Sequence, residues 1–384
     1  MKLTFNKKFI TVVVLTSFLG ACSIFKADSR YEPVKVKEIK QTVSLQAVWQ
    51  SNIGSGGGTG FAPVVKDNSV YAATPDGNVV KLNLDNGSPI WSVKLGSKLT
   101  SGVGVGDGLV VVTDKDAKVY ALDSQSGKTI WDSKLSTRST TPPIVAQGKV
   151  IVRADDFRVQ AFDIKDGKLS WSFVRTNPLL SLKTNSRMSL ADNSVVVAVP
   201  TGKLVGLGIS DGVVNWEILS ASAKGPSDID SVTDVVGQPI VFNDGVCTSS
   251  YQGNVSCYRV TNKGLTPIWI NPFSSAVGLG TDGSKIYASG IDGTVAKFAL
   301  ANGELIWSDQ TLKNRGLTNP VVFKNYVFVG DLDGLVHVFD SEKGTIVGRT
   351  TVGSNKDIVS PLIGTEKGVI VQSGSGSLLL FRVN

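Results

Sequence analysis

Seven tryptophans recur at nearly constant spacing, and no other feature restricts the fold of this chain so strongly. Trp49, Trp91, Trp131, Trp171, Trp216, Trp269 and Trp307 are all the tryptophans it has; the intervals are 42, 40, 40, 45, 53 and 38 residues, and Gly348 holds the eighth equivalent position 41 residues further on. Each Trp ends the same sentence. The fullest copy is VYALDSQSGKTIW (119–131), repeated as VVKLNLDNGSPIW (79–91), VQAFDIKDGKLSW (159–171), LVGLGISDGVVNW (204–216) and VAKFALANGELIW (295–307). VSCYRVTNKGLTPIW (255–269) carries two extra residues in its turn, and VHVFDSEKGTIVG (336–348) ends in Gly348. Apolar and polar residues alternate into a Gly-bearing turn and out again, which is the pattern of a β-hairpin with one buried face.

A second hairpin precedes each of these. In LVVVTDKDAKVYAL (109–122) its turn is 114–117, and equivalents are Pro75-Asp76-Gly77, Gln252-Gly253, Asp292-Gly293 and Asp333-Gly334. One more short strand lies upstream, as at 143–145 and 320–323. Four strands per period, with no helical periodicity, predict an all-β chain built of propeller blades. Trp49 sits in a lone strand with no blade before it, and after Gly348 three strands are expected at 358–363, 368–373 and 377–383. Together they complete an eight-bladed β-propeller of four-stranded antiparallel blades, spanning 45–384, whose last blade is closed by the N-terminal strand. Closure removes the sheet edges that an open array would expose. The Trp side chains read as wedges between neighbouring blades, because seven equivalent indoles cannot all line one central site.

The N-terminus has a different character. Lys2, Lys7 and Lys8 precede an apolar run, 9–19, that is too short for a permanent membrane helix and ends in Leu19-Gly20-Ala21-Cys22. This resembles the lipobox of bacterial lipoproteins. It implies a signal peptide over 1–21, a lipidated Cys22, and, with Ser23 next, an outer-membrane address. Residues 22–44 are charged and read as a flexible tether. The leader lysines also account for part of the formal net charge of +7. The remaining basic residues form no run and interleave with no aromatics, which argues against nucleic-acid binding.

Chemistry is sparse. His337 is the only histidine, no Ser sits in a nucleophile turn, and the acidic residues Asp76, Asp292 and Asp333 recur with the turns. Gly54-Ser55-Gly56-Gly57-Gly58-Thr59-Gly60 precedes strands, not a phosphate-holding helix, and reads as a flexible connection between blades. Cys247 and Cys257 flank one hairpin turn. If 251–253 is a three-residue loop they face each other, within reach of a disulfide in an oxidising compartment; the other reading is two buried thiols.

The two longest Trp intervals, 45 and 53, place extra residues in consecutive inter-blade connections. The first, RTNPLLSLKTNSRM (175–188), carries Leu179, Leu180, Leu182 and Lys183; the second, SAKGPSDIDSVTDVVGQP (222–239), carries Asp228, Asp230 and Asp234. Consecutive connections emerge on one face, so leucines beside a cation and an acidic loop suit a protein-docking patch.

Two family resemblances follow from these residues. The A-L-D-x-x-x-G-K-x-x-W wording of 121–131 resembles the repeat of pyrroloquinoline quinone (PQQ) dependent dehydrogenases. Those enzymes bind quinone and calcium at the ring centre through acidic and amide ligands, with a disulfide between adjacent cysteines. Here the cysteines are ten apart and no ligand set assembles, so this likeness implies the fold and leaves a periplasmic quinoprotein oxidoreductase as the rival reading. The second resemblance covers the whole mature chain and is to the BamB family, propeller lipoproteins of the outer-membrane β-barrel assembly (Bam) machinery. It rests on the lipobox, the eight blades, and the wordings P-x-L-S-L-[RK] at 178–183 and I-D-x-[LV]-x-D-V at 229–235. It implies a non-enzymatic, cofactor-free scaffold facing the periplasm, touching the membrane through its lipid alone. Leu180, Leu182, Lys183 and Asp234 would bind the POTRA domains of BamA, with nascent outer-membrane proteins as further partners. The chain departs from the family in Lys183 where Arg is usual, which loses a bidentate fork, and in Ser231 and Val236 at positions elsewhere basic and acidic.

Overall fold

A computed structural model describes residues 29–175, 186–222, 233–261, 264–352, 358 and 360–383. Its strands form eight four-stranded antiparallel sheets arranged as a closed ring. Blades 1 to 7 take their strands in sequence order and occupy residues 64–94, 99–134, 144–173, 189–219, 235–272, 279–309 and 321–351. Blade 8 combines Ile363–Thr365, Gly368–Gln372 and Ser377–Val383 with the N-terminal strand Leu45–Asn52, which pairs along Ser377–Val383. The innermost strand of blade 8 starts at Ile363, later than the 358 expected from hydropathy. Pro361 has no N–H for a ladder, and the Ile358 N–H instead bonds to the Asp331 carbonyl of blade 7 at 3.1 Å.

The repeated sentence acquires its physical meaning at the seams. In six of the eight, the indole of one blade lies flat on the turn glycine of the next. A Cβ at Gly167 would fall 2.5 Å from the Trp131 ring, and Gly87, Gly127, Gly212, Gly303 and Gly344 sit equally close to Trp49, Trp91, Trp171, Trp269 and Trp307. Gly167 also has φ of +69°, so both backbone and packing demand glycine there. The indole N–H then donates across the seam, from Trp131 to the Ile164 carbonyl at 2.8 Å and from Trp307 to the Ser341 carbonyl at 2.9 Å. Burying an indole is worth on the order of 4–6 kcal/mol before entropy. Lys297, 1% exposed, donates to that same Ser341 carbonyl at 2.8 Å.

Two seams depart. Trp216 lies over its own blade, where a Cβ on Gly206 would meet it at 2.3 Å, and nothing comes within 4 Å of a Cβ on Gly264 in the lengthened turn of blade 5. At the eighth seam the glycine-bearing turn does not exist, because blade 8 is assembled from the two chain ends. A side chain at Gly348 would instead meet Val43 at 2.8 Å.

Val43 belongs to the segment read as tether. From Arg30 onward that segment is laid on the ring and descends the outer edge of blade 7 before turning into the strand Leu45–Asn52. The Gly-rich run is also tightly packed: a Cβ on Gly60 would fall 2.5 Å from the Thr100 carbonyl oxygen. Glycine is there for close approach of backbone, which corrects its reading as a flexible connection.

Candidate functional site

All the inter-blade connections leave from one end of the ring, which we call the upper face. Leu95 N–H bonds to the Gly77 carbonyl, Leu135 to Ala117 and Val352 to Gly334, so each connection starts against the turn of its own blade's inner hairpin. The two long connections therefore share this face. They also meet. Ser186, near the end of the first, bridges to Gly237, near the end of the second, and the Arg187 N–H donates to the Gly237 carbonyl at 2.8 Å. Their bases are tied by charge: Arg175, before the first connection, pairs bidentately with Glu217 on the strand that leads to the second. Lys203 adds a contact to Glu217 at 3.0 Å. The Arg175 hydrogen bonds pull the Glu217 carboxyl down to about 2 against the opposing effect of partial burial.

Leu180, Leu182 and Lys183 lie outside the described residues, as do Asp228, Asp230 and Ser231. Asp234 is described and is only 6% exposed. Its charge acts on Arg153 of blade 3, a guanidinium that burial pulls down to about 10 while Asp234 and Asp155 oppose the shift. Arg153 also stacks on Phe157 at 4.7 Å. Asp234 is thus an internal counter-charge at the foot of the second connection, a role no local sequence signal announced. Val236 is 1% exposed and part of the packed strand, so an apolar residue there follows from burial.

Cys247 and Cys257 stand directly opposite each other in blade 5, at a Cα–Cα separation of 4.1 Å, and are joined by a disulfide. It staples one hairpin beneath the connections and is buried on both sides. Along the axis, a cavity of about 360 Å³ is lined by Val64, Val103, Pro143, Ile144, Met188 and neighbouring residues. Arg187 is the one charged residue of that lining; the lining holds no carboxylate, imidazole or thiol. Among the described residues no three His, Cys, Asp or Glu converge. A calcium–quinone pair needs anionic oxygen ligands, and this lining does not fit it.

The family model described as outer membrane protein assembly factor BamB matches residues 44–99, 75–309 and 291–383. This chain belongs to the BamB family. Within it, the outer membrane protein assembly factor BamB of Taylorella asinigenitalis is 71% identical over 384 residues, covering 100% of both chains. The crystal structure of BamB from Moraxella catarrhalis superposes with a TM-score of 0.80 at 26% identity, covering 88% of this chain and 100% of that one. A quinohemoprotein alcohol dehydrogenase from Comamonas testosteroni reaches a TM-score of 0.65 at 14% identity, covering 92% of this chain and 78% of that one. That likeness is one of fold alone. As a BamB-family member the chain is an outer membrane protein assembly factor and not an enzyme.

Proposed function

We propose that this BamB-family chain is a scaffold, anchored in the outer membrane by a lipid on Cys22 and facing the periplasm, which holds the POTRA domains of BamA. The observation that carries this reading is the joining of the two long connections on the upper face by the Ser186–Gly237 bridge. Leu180 and Leu182 are the apolar anchors and Lys183 the cationic rim. Asp234, which with Asp155 offsets the buried charge of Arg153, holds the foot of the second connection in place and contributes through position. Binding draws on burial of leucine surface, with polar groups setting register. Nascent outer-membrane proteins would then meet the scaffold within the Bam complex.

Titration of the BamA POTRA region with the full chain, followed by the same titration with Leu182→Asp, tests the reading. Replacing a central apolar anchor by a charge costs at least about 2 kcal/mol, or some 30-fold in Kd. Unchanged affinity in the variant would move the site elsewhere. The quinoprotein alternative expects a raised melting temperature on adding PQQ with calcium; the axial lining expects none.

A further inference from the structure

Blade 7 holds a buried ionic cluster that the docking reading does not use, and the N-terminal segment lies across it. Asp331, at 0% exposure, accepts from the Arg315 Nε at 2.7 Å, from the His337 Nε2 at 2.8 Å, and from the Asp333 and Leu335 N–H groups at 3.0 Å. Arg315, 2% exposed, also pairs with Asp333. Arg349 on the outer strand donates from Nε to His337 Nδ1 at 3.0 Å. The spare N–H groups of both arginines then reach the same segment: Arg315 Nη1 to the Val34 carbonyl at 3.0 Å, and Arg349 Nη1 to the Lys37 carbonyl at 2.8 Å. Asn314 Nδ2 adds the Arg30 and Glu32 carbonyls, Val34 N–H bonds back to the Lys313 carbonyl, and Thr42 and Val43 bond to Val347.

These contacts settle the protonation of the imidazole. A carboxylate only accepts, so Nε2 carries the hydrogen; an arginine Nε only donates, so Nδ1 is bare. The arrangement requires neutral His337. A second proton would set N–H against N–H and place a third cation beside two arginines. The charged groups facing the ring are Asp331 and, through Arg315, Asp333 on the acidic side, with Arg315 and Arg349 on the basic side.

We propose that this corner of blade 7 is a built binding site for the chain's own residues 30–43, a strap held while His337 is neutral and loosened at Lys37 when it is protonated. Burial, with help from the two arginines, pushes the imidazole below its ordinary value near 6.5 despite Asp331. A depressed histidine contributes stability that is whole above pH 6.5 and is lost as pH falls below it. The strap is therefore acid-labile. With the strap down, and given the Cys22 anchor proposed above, seven residues (23–29) separate lipid from ring. Fully extended they span roughly 25 Å. Because Arg30 and Val34 sit beside the 313–315 connection and the 331–334 turn, the strap starts at the upper face. The same short leash thus brings the docking connections toward the membrane.

Hydrogen exchange on the full chain with Cys22→Ser tests the lock without lipid or partner. Protection factors of residues 30–40, corrected for intrinsic exchange, are expected to fall about tenfold between pH 7.5 and 4.5, the loss of one charge-assisted hydrogen bond. His337→Gln, whose amide can both donate and accept, should keep the strap protected and flatten the pH dependence. Arg349→Gln, on the half-exposed outer strand, should free the backbone at the exposed Lys35, Lys37 and Lys40 for trypsin cleavage at pH 7.5. Equal protection at both pH values in the parent chain, or a pH dependence that survives His337→Gln, would overturn the lock. Loss of POTRA binding in Leu182→Asp tests the docking reading separately, since that substitution changes none of the residues that form this corner.

Discussion

The seam between blades 2 and 3 and the seam between blades 7 and 8 close the same kind of gap with different residues. In the first, Trp131 lies on Gly167 and donates to Ile164, all within the repeated wording. In the second there is no turn to supply the glycine, so Gly348 replaces the tryptophan and the strap residue Val43 fills the niche. The first seam is generic and serves stability. The second exists once per ring, at the place where the chain ends meet, and it is there that a strap and a buried ionic cluster have been added. The seam between blades 4 and 5 carries the same lesson: Trp216 leaves its usual partner next to the two lengthened connections. Departures from the repeat mark the parts that do something particular.

That contrast can be tested from its largest consequence downward. Trp131→Ala should cost about 3–5 kcal/mol in denaturant unfolding, as large-to-small changes of buried aromatics do, whereas Trp216→Ala should cost clearly less. Equal losses would mean the seams are energetically alike. Asp234→Ala removes one of the two carboxylates, with Asp155, that offset the buried charge of Arg153 and should destabilise by about 1–3 kcal/mol, weakening POTRA binding only as far as the fold is loosened. A surface role alone would give lost binding with unchanged stability. Gly348→Trp should expel Val43 and raise exchange across 30–43 while the other seams keep their protection. The smallest effect is at the foot of the connections. Glu217 has its pKa lowered to about 2 mainly by Arg175, so its contribution is present above the ordinary glutamate range and is lost as pH falls through the folded value. Both partners are partly exposed, at 30% and 29%, which limits the pair to about 1 kcal/mol or less. Glu217→Gln should remove a small acid-dependent component of stability between pH 4.5 and 2.

The ring was legible because its determinants are local. Trp spacing dictates the blade count, and a three-residue loop at 251–253 sets Cys247 opposite Cys257. Two features escaped for identifiable reasons. Val34 and Val36 alternate with Lys35 and Lys37 and are half-buried against blade 7, a strand-like signal only two periods long and easily lost in a charged stretch. Asp234 read as a surface acid because its counter-charge, Arg153, comes from another blade. Burial of that kind depends on contacts far apart in sequence, and no period reports it. The innermost strand of blade 8 starts at Ile363, later than the apolar run suggests, because Pro361 cannot donate to the ladder.

Site-directed photo-crosslinking in cells tests the central claim most directly, with the probe at position 182 of the first long connection and, separately, at Asn302, in a turn on the face opposite the one from which the connections leave. A BamA adduct is expected from position 182 and none from 302. Adducts from 302 alone, or equally from both, would contradict it.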